Sequence, residues 1–82
     1  MREQTKEGTM EPKDMGNKIK NARMAKGMTQ KELASQVLVT DKAVSKWERG
    51  LCFPDMSNLE PLADALGMKM TELFIDSSVN ES

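Results

Sequence analysis

The segment that most constrains this chain is residues 29–50, with the sequence TQKELASQVLVTDKAVSKWERG. It predicts two short helices joined by a turn at residues 38–40. Thr29 is a good N-cap for the first helix, and Glu32 completes a capping box because each side chain can satisfy a backbone donor of the other residue. Thr40 can cap the second helix in the same way. The apolar edge of the first helix is formed by Leu33, Ala34 and Val37.

The second helix has an apolar edge at Val44 and Trp47 and a long polar edge. Gly50 is a suitable stop, since glycine adopts the left-handed conformation at little cost. A stripe of cations and short polar groups can enter a DNA major groove, and an ordinary solvated helix face is the alternative. Two short helices at this separation make a helix-turn-helix, whose second helix reads bases. The polar edge has the spacing of one helical stripe and consists of Asp41, Lys42, Ser45, Lys46 and Arg49.

One helix is predicted before this segment and two after it. The first spans residues 15–26, with an inward edge of Met15, Ile19 and Ala22. In the loop after Gly50, Phe53 is expected to pack inward, and Asp55 can cap a fourth helix. The last helix is predicted from residue 71 to 74 or 75. The apolar positions of the fourth helix are Met56, Leu59, Leu62, Ala63 and Leu66.

The two ends of the chain are polar. Residues 1–14 carry mixed charge with Gly8 and Pro12, and they predict a flexible N-terminal leader. Residues 76–82, DSSVNES, predict a polar C-terminal tail. One domain of residues 15–75 lies between them, which agrees with a length of 82 residues.

Composition limits the classes of function. With one cysteine and no histidine, the chain offers no internal disulfide, zinc site or histidine-based triad. We therefore predict no metal, no cofactor and no enzymatic activity. The absence of a long apolar run excludes a membrane span. The net charge of −1 is low for a DNA-binding protein, but residues 15–74 hold nine Lys or Arg against seven Asp or Glu, a net charge of +2.

The strings TQKELA and TDKAVSKWERG, followed by FPD and LADALGM, resemble the lambda repressor and Cro family of helix-turn-helix domains, also called the XRE family. The resemblance runs from about residue 15 to residue 74. It implies an all-α fold, a compact lambda-repressor-like bundle of five short helices with the motif as helices two and three. It also implies a cytoplasmic, usually bacterial or phage, dimeric repressor or regulator.

The resemblance implies which side chains of the second motif helix read bases. They are Asp41, Lys42 and Lys46, while Ser45 could contact a base or a phosphate. The chemistry agrees in part, because lysine can donate to guanine O6 and N7, and aspartate can accept from cytosine N4. For Asp41, a helix-start residue that suits the helix dipole is an equal alternative.

Other residues are expected to hold the DNA backbone. Gln30 matches the family position that bonds a phosphate from the start of the first motif helix. Thr40, Lys31 and Arg49 are further phosphate candidates. For Lys31 and Arg49, solvated surface charges are the alternative.

Two further positions follow from the resemblance. It implies a buried ion pair between Arg23 and Glu48, with an exposed arginine as the alternative. Removal of one partner of such a pair strands a charge and can cost ~3–5 kcal/mol. Leu38 occupies the turn position where the family most often has glycine. If the backbone there is left-handed, leucine costs about 1–2 kcal/mol relative to glycine.

Three functions are therefore considered. The first is a sequence-specific transcriptional regulator, a repressor by resemblance, that binds a palindromic double-stranded DNA operator as a homodimer with helix 40–49 in the major groove. The second is an antitoxin or restriction-modification controller of the same fold. The third is a protein-interaction module that has lost DNA binding. No membrane partner is predicted.

Overall fold

A computed structural model describes residues 11–74 of the chain. They form five helices and no strand: α1 Pro12–Ala25, α2 Gln30–Val37, α3 Asp41–Glu48, α4 Met56–Leu66 and α5 Met70–Phe74. The prediction of an all-α fold with five helices is confirmed. The predicted tail, and the predicted leader up to residue 10, lie outside the described residues.

Helix α1 begins three residues earlier than the sequence pattern predicted. Pro12 is its first residue, and Glu11 is the N-cap. The Asp14 carboxylate accepts a hydrogen bond from the Glu11 backbone N–H at 3.2 Å. Proline suits a first helical position because the N–H it lacks would have no partner inside the helix. Residues 12–14, which the sequence pattern placed in the leader, therefore belong to the first turn of α1.

A single hydrophobic core joins all five helices. Each helix contributes apolar side chains from one edge, which is the pattern that a helix period of 3.6 residues produces. Full burial of such a side chain contributes about 1.5–3 kcal/mol relative to exposure. One completely buried residue comes from each helix in turn: Ile19, Leu33, Val44, Leu62 and Leu73.

Two apolar residues after α3 do not lie where the sequence predicted. Phe53 is 44% exposed instead of packed under the loop, and Pro54 is the buried residue of this loop. Met56, predicted on the inward edge of α4, is also exposed. It is the first residue of α4, and the buried positions of that helix begin one turn later at Leu59.

The helices described between residues 11 and 74 include none that is long and apolar enough to cross a membrane. The same range contains no group of three or more His, Cys, Asp or Glu residues that could hold a metal ion. Cys52 is exposed and forms no disulfide.

Candidate nucleic-acid interface

Helix α3 is fixed at both ends, so its polar edge has a defined direction. The Thr40 hydroxyl oxygen accepts a hydrogen bond from the Ala43 N–H at 3.1 Å, as its predicted role as N-cap requires. At the other end, Arg49 is the C-cap and Gly50 has a φ of 77°. Val44 and Trp47 are buried. The opposite edge of α3 must therefore face outward.

The predicted base-reading residues all lie on this outward edge of α3. Asp41, Lys42 and Lys46 are exposed, and Ser45 is half-buried. Within residues 11–74, no side chain forms a hydrogen bond or ion pair with Asp41, Lys42 or Lys46. These charged groups can thus meet a ligand without breaking an interaction inside the domain.

The predicted phosphate-binding residues lie at the ends of the two motif helices. Gln30 and Lys31 are in the first turn of α2, and Lys31 is exposed. Thr40 is exposed at the start of α3. Arg49 is exposed at its end, where the Arg49 Nε donates to the Ser45 carbonyl at 3.4 Å. Helix starts carry unpaired N–H groups and favour anions, so α2 and α3 each present such an end.

An ion pair between α1 and α3 lies beside the motif, at the two positions that the resemblance implied. Arg23 Nε lies 2.7 Å from Glu48 Oε2, and Arg23 Nη2 donates to Glu48 Oε1 at 3.1 Å. The two side chains are only 12% and 3% exposed. Arg23 Nη1 also donates to the Met28 carbonyl at 2.7 Å. Both charges are thus paired and hydrogen-bonded, as buried charges require.

Two features of this region were not predicted from the sequence. Gln30 Nε2 donates to Glu48 Oε1 at 3.0 Å, so the candidate phosphate ligand is bonded to the ion pair. Gly16 on α1 is buried against the end of α3, and a Cβ atom there would collide with the carbonyl oxygens of Trp47 and Glu48. The sequence signal for Gly16 was a glycine within a helical pattern, a residue that weakens a helix and can be present for a packing reason.

The turn between α2 and α3 has the left-handed backbone for which the sequence analysis gave a cost at Leu38. Leu38 is the C-cap of α2 with φ 66° and ψ 43°, the left-handed conformation. It is the single non-glycine residue with positive φ within residues 11–74. Its side chain is 89% exposed. The turn therefore keeps the backbone that glycine would adopt, with leucine in its place.

Comparison with known proteins agrees with this geometry. A family model described as helix-turn-helix matches residues 19–73, more than half of the chain. The chain is 33% identical over 61 residues to the HTH-type transcriptional activator BcrR of Enterococcus faecalis, covering 74% of this chain and 30% of that protein. It is 38% identical over 56 residues to multiprotein-bridging factor 1 of Candida albicans, covering 68% and 37%. The chain thus spans well under half the length of the curated relatives it matches.

Solved structures with a similar fold include proteins in complex with DNA. The P22 c2 repressor in complex with a synthetic operator is 34% identical, with a TM-score of 0.70 over 72% of this chain and 89% of that chain. The biofilm regulator SinR in complex with DNA is 31% identical, with a TM-score of 0.70 over 74% and 98%. The restriction-modification controller C.AhdI of Aeromonas hydrophila is 31% identical, with a TM-score of 0.71 over 76% and 94%.

Proposed function

Because this chain belongs to the helix-turn-helix family and has the lambda-repressor-like fold, we propose that it is a sequence-specific, DNA-binding regulator of transcription. The observation that carries the proposal is the outward edge of α3. The side chains of Asp41, Lys42 and Lys46 on this edge have no hydrogen-bond or ion-pair partner within residues 11–74, while the opposite edge is buried in the core. An α-helix fits the major groove of B-DNA, where each base pair presents a distinct pattern of donors and acceptors.

The side chains of α3 that are proposed to contact bases differ in their chemistry. Lys42 and Lys46 donate to guanine O6 or N7 in each half-site. Asp41 accepts from cytosine N4, or it rejects sequences that bring a phosphate or another acceptor close to its carboxylate. Ser45 is half-buried between these residues, and its hydroxyl can donate to a base or to a phosphate. The proposed operator therefore contains guanine and cytosine in each half-site.

The residues at the helix ends position α3 without reading sequence. Gln30 and Lys31 hold a phosphate at the start of α2, where backbone N–H groups add to the attraction. Thr40 and Arg49 hold phosphates at the two ends of α3. Such contacts fix the register of a protein on the duplex and carry no base information.

The proposal includes a homodimer that represses transcription from a palindromic operator. Two copies related by a two-fold axis would place their α3 helices one helical turn apart, ~34 Å on B-DNA. The likeness to the P22 c2 repressor supports the repressor role. The likeness to C.AhdI favours, within the same mechanism, a controller of a restriction-modification system. The proposed location is the cytoplasm of a bacterial cell, where DNA is open to the protein.

Selection of bound sequences from random duplex DNA tests the proposal. The recovered site should be palindromic. Lys42→Ala or Lys46→Ala should each relax the preference at one base pair per half-site by ~1–3 kcal/mol, whereas Gln30→Ala should weaken all sequences alike. Lys69→Ala is the charge-matched control, since Lys69 is exposed just before α5 and outside the motif. Uniform weakening by the two lysine variants would contradict their assignment as readers.

A protein-interaction module of the same fold is the second candidate function. It is favoured by the likeness to a protein named multiprotein-bridging factor 1 and by the net charge of −1. Binding to random duplex DNA at two salt concentrations separates the candidates. A DNA-binding protein should bind more tightly at the lower salt concentration. A module that has lost DNA binding should bind no duplex at either salt concentration.

A further inference from the structure

We infer that Glu48 is a positioning residue for DNA binding, because its buried carboxylate fixes the Gln30 amide in the orientation that a phosphate requires. The inference rests on the proposed function. It assigns to the Arg23–Glu48 pair a role beyond holding α1 against α3. It also explains how a side chain at the start of α2 can be ordered before DNA arrives.

The Glu48 carboxylate receives more hydrogen bonds than its ion pair alone would supply. Arg23 donates to both of its oxygens, at 2.7 and 3.1 Å. Gln30 Nε2 donates to Oε1 at 3.0 Å, as a third bond from a second helix. The Glu48 side chain is only 3% exposed, so water competes little for these bonds. Hydrogen bonds to an ionised acceptor are roughly twice as strong as bonds between neutral groups.

The bond to Glu48 leaves Gln30 with the donor that a phosphate needs. A glutamine amide has two N–H hydrogens and one carbonyl oxygen. Because the Glu48 carboxylate can only accept, it selects the amide flip that turns the NH₂ group toward it. One hydrogen is then bound to Glu48, and the other remains for a second acceptor. The first turn of α2 is where helix geometry already favours an anion.

Arg23 makes this arrangement compatible with DNA. A lone carboxylate beside a phosphate would repel it, and repulsion is strong where water is excluded. The Arg23 guanidinium neutralises Glu48, and it is itself held by the Met28 carbonyl at 2.7 Å. The Gln30 amide is therefore ordered by a charged acceptor without a net negative charge at that end of α2.

Gln36 provides a matched comparison on the same helix. It is exposed on the last turn of α2, and its Nε2 donates to the Met28 sulfur, a weak acceptor, at 3.4 Å. In the free wild-type protein, ¹⁵N relaxation of the two side-chain amides should differ. The Gln30 amide should approach the order parameter of rigid backbone, ~0.85, and the Gln36 amide should fall below ~0.6. A Gln30 amide as mobile as that of Gln36 would overturn the inference without any use of DNA.

The second measurement uses the duplex recovered by selection, with single phosphates replaced by neutral methylphosphonates. Neutralising the phosphate that Gln30 holds should weaken wild-type binding by more than about tenfold, because the hydrogen bond from Gln30 to a charged group adds to the attraction of Lys31 and the α2 backbone N–H groups. That phosphate is identified as the one whose penalty falls most in Gln30→Ala. In Glu48→Gln the same penalty should fall by at least about threefold, while penalties at other phosphates persist. If Glu48 only stabilised the fold, Glu48→Gln would weaken binding without a specific effect on the penalty at the Gln30 phosphate.

The outcomes separate the inference from the function beneath it. If the wild-type protein retains no duplex, both the proposed function and the inference fail. If it binds DNA, but Glu48→Gln keeps the full penalty at the Gln30 phosphate, only the inference fails. The inference alone also fails if no phosphate penalty depends on Gln30. If Glu48→Gln does not fold, the comparison of Gln30 with Gln36 in the wild-type protein decides.

Discussion

At the scale of single residues, Leu38 is the side chain most at odds with its backbone. Its left-handed conformation costs a non-glycine residue roughly 1–2 kcal/mol. With its side chain 89% exposed, packing does little to offset that cost. The position could be predicted because the resemblance marks it as the usual glycine of the turn. The exposure of the side chain could not, because it depends on how α2 and α3 pack.

Leu38→Gly should therefore raise the stability of the domain. Glycine removes the conformational cost at this φ but loses roughly 0.5–1 kcal/mol of backbone entropy on folding. We expect a net gain of about 1 kcal/mol, which corresponds to a rise in Tm of ~4–8 °C for a domain of this size. The matched control is Leu51→Gly, since Leu51 is also exposed but lacks a positive φ. The control should lose stability, and thermal unfolding that gave both variants the same Tm would contradict the prediction.

The candidate site also shows which single-residue properties can be predicted from the sequence. Spacing alone placed Lys42 and Lys46 on one edge of α3, because residues four apart share a helix face. The bond from Gln30 to Glu48 could not be predicted, since its partners are 18 residues apart and meet only after α2 and α3 have packed. The ion pair between Arg23 and Glu48 was implied by the resemblance and not by helical spacing.

At the scale of elements, helix ends were predicted well where a short polar residue caps them. Thr29 with Glu32 begins α2, and Thr40 begins α3. The start of α1 was missed because its N-cap is Glu11, a residue outside the usual set of caps. Capping residues in the sequence therefore predict where a helix begins only when the N-cap is one of the residue types that usually serve as caps.

The contact between α1 and α3 depends on Gly16. Helix propensity alone would make Gly16→Ala favourable by roughly 0.5–1 kcal/mol. The new Cβ, however, would collide with two carbonyl oxygens of the α3 end, and backbone atoms cannot rotate away. Overpacking of this kind costs typically 1–3 kcal/mol. We expect the collision to dominate, so that Gly16→Ala lowers the free energy of unfolding measured by denaturant titration.

Asn17→Ala is the control for Gly16→Ala. Asn17 is the next residue of α1 and is exposed, so alanine there raises helix propensity without meeting another element. This variant should be neutral or slightly more stable than the wild-type protein. An increase in stability of Gly16→Ala equal to that of Asn17→Ala would show that α1 and α3 are not held at the close approach seen here.

At the scale of the whole molecule, the fold was predictable because every helix follows one rule. Each carries a single apolar stripe, and five such stripes can be buried only against one another in a common core. The exceptions are Phe53, which lies in the loop after α3, and Met56, the first residue of α4, whose buried positions begin one turn later. The position of a loop residue is determined by the elements around it. Its burial is therefore the property that is hardest to predict from the sequence.

The distribution of charge leads to the last prediction. The proposed interface offers four exposed cations per protomer, namely Lys31, Lys42, Lys46 and Arg49. Each neutralised phosphate contributes a slope of roughly 0.9 to the dependence of log affinity on log salt concentration. A dimer should therefore show a slope of no more than about 7, which salt titration of binding to the selected duplex measures. Lys31→Ala, which removes a proposed phosphate contact, should lower this slope by about 1 per protomer, and Lys69→Ala should leave it unchanged. A slope well above ten would require cations that α2 and α3 do not present, and a larger DNA contact than these two helices provide.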